Sequence, residues 1–94
     1  MTGNAIDVVH HPVSSRFIAE VDGHQAHLDY ELEGGQMRIT QTRVPSEIGG
    51  RGIAGELVRV ALVHARNEGL KVTPLCSYAD AWMQRHTDFA DLRA

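Results

Sequence analysis

Four glycines and one arginine crowd into seven residues, Gly49-Gly50-Arg51-Gly52-Ile53-Ala54-Gly55, the stretch of this chain best suited to hold a charged ligand. A helical pattern starts at the same place, with Ala54, Leu57, Val58, Ala61, Leu62 and Ala65 recurring at the spacing of one buried stripe. The first turn of a helix leaves backbone N–H groups unpaired and carries about half a positive charge, so it attracts phosphate. The positions just before this helix are Gly50, Arg51 and Gly52, none of which offers the usual capping oxygen. The donors are thus left for a ligand, and Arg51 adds charge beside them. The competing reading is a strand-to-helix turn that needs glycine only for its geometry.

Two phosphate-binding patterns can be tested on these residues. A Walker loop requires Gly-Lys followed by Ser or Thr at the helix start, and no lysine stands there. Gly50-Arg51-Gly52-Ile53-Ala54-Gly55 has the spacing of a dinucleotide fingerprint, but no acidic residue closes a second parallel strand. Ninety-four residues are also too few for a doubly wound domain.

The stretch resembles the acyl-CoA pyrophosphate loop of the GNAT superfamily of N-acetyltransferases, Arg/Gln-x-x-Gly-x-Gly/Ala. Gly50 to Ala54 match its glycine-rich part, and Thr42-Arg43-Val44-Pro45 match the strand that leads into it. Gly49 stands where that family carries its first Arg or Gln, and Arg51 is placed to supply the charge. The likeness continues through Arg66 to Cys76 and covers roughly Arg16 to Leu92, a span typical of the small single-domain members. It implies acetyl-CoA (or CoA) held by Gly49, Gly50, Arg51, Gly52, Ile53 and Ala54. It further implies backbone donors near Arg43 and Val44 in a strand that splays from its neighbour.

Acyl transfer to an amine needs a positioned acyl carbon, a proton acceptor and donors for the oxyanion. Cys76 ends the strand next to the expected thioester and is the catalytic candidate, as acid to the departing thiolate or as nucleophile. A buried inert thiol is the alternative. Larger relatives place a tyrosine in the following helix, where Met83 falls here; Tyr78 lies one turn earlier and reads as substitute or as packing. His64 reads as structural, His86 is undecided, and His10 and His11 are adjacent and thus poor joint metal ligands. No metal site is expected.

Positioning these groups calls for an α/β fold with a mixed sheet. Residues 1–14 read as an N-terminal arm or short edge segment, and residues 15–94 as a minimal acyl-CoA-binding domain. Arg16–Val21, His24–Leu32 and Gln36–Val44 form a three-stranded antiparallel meander, with Asp22-Gly23 and Gly34-Gly35 as hairpin turns. His24, Ala26, Leu28, Tyr30 and Leu32 should share the buried face; Gln25, His27, Asp29, Glu31 and Glu33 read as a wet face, whose acidic row Asp29, Glu31 and Glu33 reads as solvated or as attracting an amine. A crossover helix from Gly52 to Glu68 leads to a fourth, parallel strand, Leu70–Cys76. Pro74 cannot donate to a ladder, so a gap should open near that strand's end. A short helix, Tyr78–His86, follows, and Phe89 and Leu92 should pack back on the sheet.

Composition narrows the function classes. The net charge is −3 without a basic stripe, so nucleic acid is not an expected partner. No apolar run is long enough for a membrane span, and no secretory pattern precedes the domain. The single cysteine fits a reducing cytoplasm. The expectation is an acetyl-CoA-dependent N-acetyltransferase acting by direct attack on an amine; the alternative is a non-catalytic acyl-CoA-binding or protein-interaction module. The acceptor helices of larger relatives have no room here. The acceptor site is therefore open, borrowed from a homodimer partner, or absent.

Overall fold

The computed structural model describes residues 6–94. One five-stranded sheet runs in chain order, with β1 (Val8–His11), β2 (Arg16–Val21), β3 (His24–Glu33), β4 (Gln36–Arg43) and β5 (Lys71–Pro74) as successive neighbours. The first four strands are antiparallel, and β5 joins β4 in parallel after the crossover helix α1 (Ile53–Asn67). A second helix, α2 (Ser77–Arg85), and a 3-10 segment, Thr87–Leu92, complete the chain. The mixed α/β sheet, the meander and the parallel crossover match the fold expected from the sequence.

Both hairpins are two-residue turns with positive φ at each central residue, Asp22 and Gly23 in one and Gly34 and Gly35 in the other. That geometry matches the right-handed twist of the flanking strands and fixes their register. The alternation of β3 follows: Ala26, Leu28 and Tyr30 are buried against α1, while Gln25, His27 and Asp29 point to the opposite face. Helix α1 presents Ile53, Leu57, Val58, Ala61, Leu62 and Ala65 to the sheet, the expected stripe with Ile53 added in place of Ala54. Trp82 and Met83 of α2, with Phe89 and Leu92 beyond it, close the same core. Both helices cover one face of the sheet.

Of residues 1–14, expected as an arm or short edge segment, Val8–His11 form an edge strand paired with Arg16–Ala19 and Pro12–Ser14 a 3-10 turn; residues 1–5 lie outside the described part. One expectation needs correction. Leu32, expected to face the core, is 60% exposed, because it lies at the hairpin end of β3, where Glu31, Leu32 and Glu33 are all exposed. Met83, which falls where larger relatives carry a tyrosine, is buried in the core.

Candidate active site

The site begins with a fault in the ladder. Asp29 pairs with Gln41 and Tyr30 with Ile39, so Thr40 is an extra residue on β4, a β-bulge. Because side chains alternate, one extra residue reverses which face each following position meets. Before the bulge Met37 and Ile39 are buried; after it Thr42 and Val44 turn inward and Arg43 outward. The bulge re-aims the strand.

On its other side β4 loses its partner. The parallel ladder ends at Ile39 and Pro74, and the N–H groups of Leu75 and Cys76 both converge on the Ile39 carbonyl, at 2.9 and 3.1 Å. Pro74 has no N–H to continue the pairing. From Gln41 to Arg43 the strand therefore pairs with β3 alone, and a fork opens between it and the start of α2. The gap anticipated from Pro74 is present.

The fork leads into a cleft of about 260 Å³ lined by Val44, Ile48, Gly49, Gly50, Gly52, Ile53, Ala54 and Tyr78. Gly52 is the N-cap of α1 with φ of +79°, in the left-handed region where a side chain is strained. No side chain caps this helix, and its first internal bond runs from the Glu56 N–H to the Gly52 carbonyl at 3.1 Å. The N–H groups of the first turn are thus available at the cleft. Glu56 also lies in that turn, where Arg59 binds both its oxygens at 2.9 and 2.7 Å and holds its carboxyl below the usual range. Its charge is matched before an anion arrives.

The candidate residues divide clearly. Val44, Gly49, Gly50, Gly52, Ile53 and Ala54 come together around the cleft, and Arg43 stands exposed at the end of β4, next to Val44. Arg51 does not line it: its guanidinium donates to the Asp22 carboxylate at 2.6 Å, tying the loop to the β2–β3 turn. The charge expected from Arg51 is shared with Asp22 in an exposed ion pair, a kind that contributes little.

Cys76 sits at the fork, half-buried. Its sulfur accepts the Ala79 N–H at 3.3 Å as the N-cap of α2 and lies 3.5 Å from the Thr42 hydroxyl across the opening. Tyr78 follows it along the cleft wall, 38% exposed. A Cβ on Gly55 would lie 3.2 Å from the Trp82 indole nitrogen and 3.4 Å from the Tyr78 hydroxyl, so glycine there lets α2 dock on the first turn of α1. The sequence marked Gly55 as part of the loop; its use is between the helices.

The other histidines are placed elsewhere. His10 stacks on Phe17 at 4.2 Å, meets His64 edge-on at 4.4 Å and shares a 2.6 Å hydrogen bond with the Tyr30 hydroxyl. Burial is the main cause that lowers the His10 pKa, helped by His64 and His11 and opposed by Glu68; burial likewise raises Tyr30. His86 stacks on Trp82 at 3.6 Å and donates to its carbonyl at 2.8 Å, finishing α2. On the uncovered sheet face, Asp29 accepts from Arg16 at 2.7 Å and from His27 at 2.9 Å, and Glu33 accepts from Arg38 at 2.8 Å. The acidic row is largely paired with cations. Among the described residues no group of three or more His, Cys, Asp or Glu could hold a metal ion.

Comparison with known proteins agrees with this geometry. The model of a family described as GCN5-related N-acetyl-transferase matches residues 16–92. The solution structure of a Staphylococcus aureus protein described as GCN5-like superposes with a TM-score of 0.73 at 24% identity, covering 100% of this chain and 91% of that one. The chain belongs to the GCN5-related N-acetyltransferases, a family of acyltransferases.

Proposed function

From that membership, we propose that the chain binds acetyl-CoA in the β4–β5 fork and transfers its acetyl group to an amine by direct attack. The observation that carries this reading is the continuity of three features: the bulge at Thr40, the unpaired edge of β4 and the uncapped, glycine-lined start of α1. The diphosphate of the cofactor would lie on the backbone of Gly49, Gly50, Gly52, Ile53 and Ala54. The pantetheine arm would follow the fork past Val44 and Arg43, where free β4 N–H groups take the place of a missing strand. Donors fixed in advance also suit an oxyanion as the carbonyl becomes tetrahedral.

In the proposed reaction the amine nitrogen bonds to the acyl carbon, the carbon–sulfur bond breaks, and CoA leaves as thiolate. Cys76, half-buried beside Thr42, is placed to return a proton to that sulfur. The uncovered sheet face leaves the acceptor side open to amines of varied size. A single free thiol suits a reducing cytoplasm, the compartment we propose.

Calorimetric titration with acetyl-CoA and free CoA tests the cofactor site, with Gly52→Val alongside. The expected result is micromolar binding that falls at least about 100-fold in the variant, because a side chain there enters the open space of the cleft and strains φ. Equal affinity of wild type and variant would sink the placement of the diphosphate.

A further inference from the structure

The cleft at the start of α1 carries a single polar side chain. Its other lining residues are glycine, alanine, valine and isoleucine, and Tyr78 alone brings a side-chain hydrogen-bonding atom. No cation lines it, because Arg51 is paired with Asp22 at the β2–β3 turn. Any side-chain donor for an anion on this backbone must therefore come from α2.

Helix α2 brings two such donors to one point. A Cβ on Gly55, the third residue of α1, would lie 3.4 Å from the Tyr78 hydroxyl and 3.2 Å from the Trp82 indole nitrogen. Both groups thus lie over the first turn of α1, whose N–H groups no side chain caps. Neither bonds to another described residue. Trp82 is only 6% exposed, yet its indole N–H is not sealed inside the core. Both rings are held in place. The Cys76 sulfur caps α2 by accepting the Ala79 N–H at 3.3 Å, and His86 stacks flat on the indole at 3.6 Å. An indole N–H can only donate, and a hydroxyl beside an anion donates too. Fixed donors without an internal acceptor call for an external one.

We infer that the Tyr78 hydroxyl, flanked by the Trp82 indole N–H, is the side-chain donor to the cofactor's diphosphate, and does there what a cation would otherwise do. This inference rests on the acetyl-CoA reading above. The diphosphate is then gripped from two helices, by backbone N–H groups of α1 on one side and by the α2 hydroxyl on the other. Tyr78 is a positioning residue: its proton stays on its oxygen, and the acyl end of the cofactor lies with Cys76.

The test uses the full chain. Tyr78→Phe keeps the ring and should weaken acetyl-CoA binding about tenfold in calorimetry, the worth of one hydrogen bond to a charged acceptor. The KM for acetyl-CoA should rise by the same factor while kcat stays within about twofold. The denaturation midpoint should not move, because the hydroxyl makes no bond inside the protein. Wild type gives a second reading without any variant. Trp82 is the chain's one tryptophan, and its emission should shift on adding acetyl-CoA or ADP but not S-acetylpantetheine, which lacks the diphosphate. Unchanged affinity in Tyr78→Phe would overturn the inference. So would a fall in kcat at unchanged affinity, which would move the hydroxyl to the acyl end, or an emission shift with S-acetylpantetheine and none with ADP. Absence of acetyl-CoA binding by wild type would instead take down the cofactor reading, and this inference with it.

Discussion

The two ends of the sheet solve opposite problems with similar materials. At the β1–β3 end, His10, Phe17, Tyr30 and His64 stack under α1, and the chain satisfies its own polar atoms, as in the His10–Tyr30 hydrogen bond. At the β4–β5 end the chain leaves donors unused: a strand without a second partner, a helix without a cap, a loop of glycines. The first end is closed by aromatic packing, whereas the second is kept open by withholding it. His10 at the closed end is a packed ring, stacked on Phe17 and met edge-on by His64.

This contrast can be broken by substitution. Phe17 is fully buried in the closed end, and Phe17→Ala should cost about 3–5 kcal/mol in chemical denaturation. Acetyl-CoA affinity of the remaining folded protein should not change; a parallel loss of affinity would show that the ends are coupled. Gly52→Val should give the mirror image, affinity lost with the core intact.

Cys76→Ala tests the open end with a smaller change. Loss of the α2 cap should cost about 1 kcal/mol, and turnover should fall about tenfold if its thiol serves the leaving group. Full turnover at the cost of stability alone would leave Cys76 as a cap.

The smallest expected effect is a pH dependence at the closed end. The His10 pKa is lowered in the fold, so its neutral form is favoured and stability is present above the unfolded value of about 6.5. Stability should fall as pH drops below that value, because the unfolded chain takes up the proton more readily than His10 does in the fold, where burial, then His64 and His11, disfavour the charge. The melting temperature should decline by a few degrees between pH 7.5 and pH 5, and His10→Phe should flatten the decline. An equal decline in that variant would assign the effect to other groups.

Much of this was legible in the sequence, and the rest had physical reasons to be hidden. Asp22-Gly23 and Gly34-Gly35 demanded their turns, the stripe on α1 required a helix, and the glycines announced an uncapped start. The bulge was hidden because Thr40 carries no mark of an extra residue; only the pairing of Tyr30 with Ile39 reveals it. Cross-strand register likewise brings Arg16 to Asp29, and no spacing along one strand shows it. Arg51 was expected at the ligand because it lies in the loop, yet it pairs instead with Asp22 of the β2–β3 turn. Where local residue types decide, sequence suffices; where two distant segments meet, it does not.

The sheet order follows the chain order, and this has a kinetic consequence. Strands β1 to β4 are joined by short local connections, so they can assemble without waiting for the rest. Only β5 must wait for a 15-residue helix to cross over, and it then forms the sheet's one parallel ladder, four residue pairs long. Its outer edge is fastened by the Ala94 N–H to the Val72 carbonyl at 2.8 Å and by the Lys71 ammonium to the Asp91 carbonyl at 2.8 Å. The segment from β5 to the C-terminus is thus expected to form after the meander and to open before it. Amide exchange should find Val72 and Thr73 less protected than Leu28. The cleft wall that holds Cys76 and Tyr78 belongs to that segment, so lower protection there would mean a fork that widens while the meander stays intact.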